Sequence, residues 1–265
     1  MVTLALYLFF GVLTGILAGL LGVGGGIIVV PILDFALPMQ EIPSHLIHHM
    51  ALGTSMASIM FTSISSARAH NQRGTILWDV VKTITPGILA GTFIGTFFVA
   101  NIPAKPLKLL FACFLFYTSI QMALDLKPRA SFHLPGKWLL MLVGAGIGGF
   151  SSFVGIGGGS LTIPFLVLCN LNVMNVIGIS AAVGFPIALA GTIGYICNGY
   201  ALPDLPEYSL GFVYLPALAG LVCASMLTAP IGVKLSHSLP VKTIKRFFGV
   251  FLCLMGIRMV YSIYF

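Results

Sequence analysis

The sequence predicts an all-α, polytopic membrane protein made of two homologous halves, and three observations carry that prediction. Of 265 residues, 58% are hydrophobic and only 7% charged, against roughly 25% charged in an ordinary soluble domain. Apolar runs of membrane-crossing length follow one another along the whole chain, and one glycine-rich pattern occurs twice. With a mean hydropathy of +1.07, a soluble fold is excluded.

The elements follow in order. The opening stretch, residues 1–22, has no basic leader and is longer than the roughly 7–15 residues of a signal h-region, so it reads as a retained first membrane helix. Apolar segments lie at residues 3–33, 47–67, 76–100, 107–124, 138–169, 173–198, 209–233 and 243–264. About 20 apolar residues suffice for one crossing. The first and fifth segments are longer, and each is interrupted by a glycine cluster: Gly22-Val23-Gly24-Gly25-Gly26 and Gly155-Ile156-Gly157-Gly158-Gly159. Both are expected to be broken helices or helical hairpins.

These clusters align at a constant shift, so that Gly22 matches Gly155, Gly26 matches Gly159 and Pro31 matches Pro164. Farther along, Gly53-Thr54-Ser55 resembles Gly178-Ile179-Ser180, the run from Pro86 to Gly91 resembles that from Pro216, and the run from Pro103 to Phe111 resembles that from Pro240 to Phe248. The chain therefore divides into a first membrane repeat at 1–125, a basic connecting loop at 126–137 and a second repeat at 138–265, with about four apolar segments in each repeat.

The doubled cassette of an apolar run, the glycine cluster, a short apolar run and proline resembles the TauE/SafE family of sulfite exporters and probable membrane transporters, over nearly the whole chain. That resemblance implies a multi-pass transporter of the cytoplasmic (inner) membrane, moving sulfite, an organosulfonate or a related small oxyanion. It selects no single substrate within that class. A homodimer is compatible with it.

The glycine clusters lead to anions independently of the resemblance. Backbone released from a helix at membrane depth must be satisfied by protein or by water in a cavity, which places an unwound cluster inside the bundle. The helices that restart near Ile27 and Ser160 present unpaired N–H groups and positive dipole ends. Secondary transporters bind substrate at such paired breaks. The candidate substrate-binding residues are therefore Gly22, Gly24, Gly25, Gly26, Gly155, Gly157, Gly158 and Gly159, with the hydroxyls of Thr54, Ser55, Ser160 and Ser180. Thr54 and Ser55 are expected to begin a helix. The competing reading is that the glycines only permit tight turns and that the hydroxyls bond to their own backbone. Fixed-spacing glycines, Gly11, Gly15 and Gly19 or Gly87, Gly91 and Gly95, read instead as packing ridges.

Other polar residues carry less. Asn170, Asn172 and Asn175 suit a vestibule or a helix cap. His45, His48 and His49, with Asp34 and Glu41 upstream, do not complete a zinc set, and no metal or cofactor is expected. A proton-linked role for His48 or His49 stays open. Asp79, Lys82 and Arg258 lie near span ends and are expected at the interface. Buried carboxylates are scarce, and no proton relay is evident. The cysteines, Cys113, Cys169, Cys197, Cys223 and Cys253, sit in apolar segments without ligand spacing.

The glycine clusters match neither a dinucleotide-binding fingerprint nor a phosphate-binding loop, and no base is placed to activate Ser180 as a nucleophile. An enzyme is not expected. The alternatives to a carrier are a broad anion channel and a membrane scaffold or chaperone. The net charge of +7 does not point to nucleic acid, because the basic residues fall between apolar runs, where orientation in the lipid bilayer explains them.

Those basic residues also bear on topology. If each interrupted segment crosses once, Arg68, Arg73, Lys127, Arg129 and Lys137 oppose Lys105, Lys108, Lys234, Lys242, Lys245 and Arg246 without bias. If each folds back as a hairpin, Lys105 and Lys108 stay on the N-terminal face and the others gather opposite. The positive-inside rule favours the hairpin version, with inverted repeats and both termini outside.

Overall fold

The computed structural model describes residues 2–21, 25–40, 42–124, 132–200, 202–238 and 241–264. Its helices are α1 Val2–Leu21, α2 Gly26–Ala36, α3 Ser44–Asn71, α4 Trp78–Ala100, α5 Ala104–Ala123, α6 Lys137–Val154, α7 Gly159–Leu168, α8 Val173–Gly199, α9 Leu215–Ser238 and α10 Val241–Tyr264. A 3₁₀ turn, Leu37–Gln40, extends α2, and a small hairpin of β1 Ser209–Leu210 and β2 Val213–Tyr214 precedes α9. Of the described helices, six are long and apolar enough to cross a membrane. The protein is thus an all-α polytopic membrane protein.

Each interrupted segment forms two helices that fold back on one another. Gly25 lies beside Thr14 and Ala18 of α1, and at the other end of α2 the Gln40 amide donates to the Tyr7 hydroxyl at 3.0 Å. In the second half Gly158 lies beside Ile147 of α6, while the end of α7 returns to the start of α6, where the Phe132 N–H donates to the Leu168 carbonyl at 3.1 Å.

The halves interlock through the glycine ridges. α1 runs parallel to α9, with Gly11 against Leu221, Gly15 against Ser225 and Gly19 against Ala229. α4 runs parallel to α6 in the same manner, with Gly87 against Met141, Gly91 against Ala145 and Gly95 against Gly149. A side chain at these glycines would meet the facing backbone, so the small residues are what allow the close approach. Corresponding helices of the two halves meet antiparallel. On α3 and α8, Met56 faces Gly191 and Ser63 faces Gly184; on α5 and α10, Ser119 faces Gly249 and Phe116 faces Gly256.

α3 and α8 form the centre. α3 is the most polar long helix, yet His48, His49, Thr54, Ser55, Ser58, Thr62, Ser63, Ser66 and His70 are all buried. Polar groups face the interior because lipid offers them no hydrogen bonds. Apolar side chains such as Phe97, Phe98, Leu142, Leu227 and Leu254 are exposed on the outer helices, the surface that a bilayer solvates.

Candidate functional site

The tips of the two hairpins meet at the crossing of α3 and α8. In the second hairpin α6 ends at Gly155 with φ +64°, and Gly158 precedes α7 with φ +72°. In the first hairpin Gly25 takes φ +80° just before α2. Each lies in the left-handed region that glycine enters without a steric penalty. The carbonyl of Gly25 accepts the N–H groups of Ile28 and Val29 at 3.0 and 3.2 Å, and that of Gly158 accepts those of Leu161 and Thr162 at 3.0 and 2.7 Å.

Gly26 abuts the Gly155 carbonyl and the side chains of Ser55 and Ile59 on α3. The Ser55 hydroxyl donates to the Gly155 carbonyl at 2.8 Å, joining the halves across the centre. On the other side the Gly157 carbonyl lies against Gly184, and Gly158 packs on Ile187, both of α8. Gly25, Gly26, Gly155, Gly157 and Gly158 therefore gather in one place, with Gly159 opening α7. Gly22 and Gly24 lie outside the described residues.

The hydroxyls divide into two groups. Thr54 and Ser55 sit in the middle of α3, not at a helix start, because the histidine-bearing stretch from Ser44 is already helical. The Thr54 hydroxyl accepts the Tyr214 N–H at 2.9 Å, which pins the β2 strand to α3. Both hydroxyls are thus engaged by protein partners. Ser180 is buried on α8. In contrast, Ser151, Ser160 and Thr162, which flank the second tip, hold buried hydroxyls with no hydrogen-bond partner among the described residues. A hydroxyl buried without a partner costs on the order of 1–3 kcal/mol, so such a group marks where a ligand or water belongs. The first amides of α7 add donors that its own helix cannot pair. Asn172 is a cap, accepting the Met174 N–H at 2.9 Å.

Sequence reasoning missed a buried ionic cluster below the first tip. Asp34 of α2 contacts Nδ1 of His48 at 3.2 Å and Nζ of Lys108 at 3.4 Å. The scarcity of buried carboxylates is real, yet this one is almost wholly buried, its side chain 6% exposed. His49 bonds the Val99 and Ile102 carbonyls at 3.3 and 3.1 Å. No group of residues able to hold a metal is present among the described residues.

Six helices able to cross a membrane, two fold-back hairpins and a buried polar centre describe a polytopic membrane protein. The comparisons agree: residues 7–259 match the model of the sulfite exporter TauE/SafE family, and the chain belongs to that family. A probable membrane transporter protein of Haemophilus influenzae is 38% identical over 255 residues, covering 96% of this chain and 97% of the relative. One from Methanocaldococcus jannaschii is 29% identical, covering 97% of this chain and 95% of its own length. Another, from Bacillus subtilis, is 29% identical over 88% of this chain. No solved structure matches. The protein is thus a multi-pass membrane transporter of the TauE/SafE type, a class that moves small solutes across a bilayer and is not enzymatic, and the inner membrane fits its bacterial relatives.

Proposed function

We propose that this transporter moves a small oxyanion, sulfite or an organosulfonate, outward across the cytoplasmic membrane, and that the anion binds at the meeting point of the hairpin tips. The observation that carries this reading is the set of unpaired, buried hydroxyls of Ser151, Ser160 and Thr162 around the start of α7. Amide and hydroxyl donors suit an oxyanion, and without a fixed charge they release it readily. Sulfur chemistry and direction come from the family description.

The antiparallel pairing of α3 with α8 and of α5 with α10 supports inverted repeats, since repeats related by an axis along the membrane normal would bring corresponding helices together in parallel. The fold-back hairpins support the arrangement in which both termini lie outside and Arg68 and Arg73 lie inside.

The test is efflux of sulfite, sulfoacetate, sulfate and chloride from liposomes holding the purified chain. Saturable efflux of sulfite or sulfoacetate, well above that of chloride, is the expected result. Unsaturable efflux of all four marks a broad anion channel, and efflux no greater than from protein-free vesicles overturns the reading.

A further inference from the structure

Among the described residues Asp34 is the single buried carboxylate, and it lies away from the hairpin tips, between α2, α3 and α5. A charge held in a membrane interior is costly unless it is paired, and such groups concentrate on ion and proton pathways. The pairing here is incomplete in one informative respect. His48 is 1% exposed and directs Nδ1 to both carboxylate oxygens, at 3.2 and 3.3 Å. Its Nε2 is buried with no hydrogen-bond partner among the described residues.

A neutral imidazole that donates Nδ1–H to Asp34 keeps a bare lone pair at Nε2. A proton added to the pair leaves the imidazole and carboxylate together without net charge. The other charged or titratable groups near His48 are Lys108 of α5, on the far side of Asp34, and His49 on its own helix. Arg258 borders the same pocket as Asp34 and stacks over the Phe35 ring at 3.7 Å. Met255, Met259 and Ser262 complete the α10 side of that pocket, which gives water a way to Asp34. Phe111 closes the apolar side, its ring centroid 6.0 Å from that of His48.

The cluster is also mechanically linked to the tips. α2 carries Gly26 at one end, against the Gly155 carbonyl, and Asp34 near the other. A change in the charge that holds Asp34 between α3 and α5 acts on the arm that positions the first tip.

We propose that His48, paired with Asp34, is the proton-coupling site of this transporter. One proton passes from water in the pocket beside Asp34 to the Asp34–His48 pair and later returns to that water, with no other bond made or broken. Its binding alters the hold on α2 and so the access of anion to the tips. This proposal rests on the anion-transport reading for its coupling, but proton binding itself is measurable without an anion.

The experiment uses the full chain in proteoliposomes on a solid-supported membrane. A pH jump without anion is expected to give a transient displacement current in the wild type and in His45→Gln, an exposed histidine near the start of α3. The current is expected to fall to the protein-free level in His48→Gln and Asp34→Asn. With sulfite present, both variants should keep exchange at equal pH and lose accumulation driven by a pH gradient. A wild type without the transient, or variants that keep the transient or the gradient-driven accumulation, overturns the proposal. Loss of exchange along with the current in both variants marks a structural ion pair and overturns it too. A wild-type transient without flux of any anion would sink the transport reading and leave the proton site standing.

Discussion

The two hairpins share a backbone but not a chemistry. Gly25 and Gly158 take the same left-handed conformation just before α2 and α7, and both helix starts lie at the α3–α8 crossing. The first continues as Ile27-Ile28-Val29-Val30, all buried and apolar, whereas the second continues as Ser160-Leu161-Thr162, with two hydroxyls left unpaired. The ionic cluster reverses the asymmetry: by the repeat alignment Asp34 corresponds to Val167 and His48 to Val173. A duplicated fold has thus kept its packing device twice, with unpaired hydroxyls beside the second tip and a buried carboxylate on the first hairpin, paired to groups of α3 and α5. The pseudo-symmetry is one of shape, and the proposed anion and proton sites lie in the departures from it.

The comparison breaks most severely if a tip cannot turn. Gly158→Val places a branched side chain at φ +72°, against Ile187. Backbone strain of about 1–3 kcal/mol adds to that collision. Sulfite flux per folded molecule is expected to fall by at least about tenfold, as 1.4 kcal/mol corresponds to a factor of ten. Gly15→Ala, on a packing ridge against the Ser225 backbone, should instead lower the melting temperature and leave flux per folded molecule intact. Equal flux loss in both would erase the distinction between tip and ridge.

A smaller effect is expected from Ser55→Ala, which removes the bond between the halves and leaves the Gly155 carbonyl buried without that donor. The cost is about 1–3 kcal/mol of stability. Thermal unfolding in detergent should record it, with the half-saturation concentration for sulfite little changed. A large rise in half-saturation with unchanged melting would move Ser55 from scaffold to substrate site.

Much of this was legible in the sequence, for identifiable reasons. Near-contiguous glycines followed by proline mark a break that no ordinary membrane helix needs, and glycines spaced by four mark the ridges that lie between α1 and α9 and between α4 and α6. The hydroxyls were harder. Thr54 and Ser55 were expected to begin a helix, whereas the histidine-bearing stretch ahead of them is already helical from Ser44. His48 and His49 belong to the buried face of that helix, and the partners of Ser55 and Thr54, Gly155 and Tyr214, lie far off in sequence. The ionic cluster has the same origin: Asp34, His48 and Lys108 come from separate elements, and only the return of α2 along α1 brings them together.

The central claim, that the anion is held at the second tip, is tested most directly by Ser160→Ala with Thr162→Val in one chain. Removing buried hydroxyls that have no protein partner should leave thermal stability unchanged or slightly higher. Each hydrogen bond lost to a charged ligand is worth about 1.5–3 kcal/mol, so the half-saturation concentration for sulfite efflux is predicted to rise at least about tenfold. A folded double variant with the half-saturation of the wild type would contradict the account and place the substrate elsewhere in the bundle.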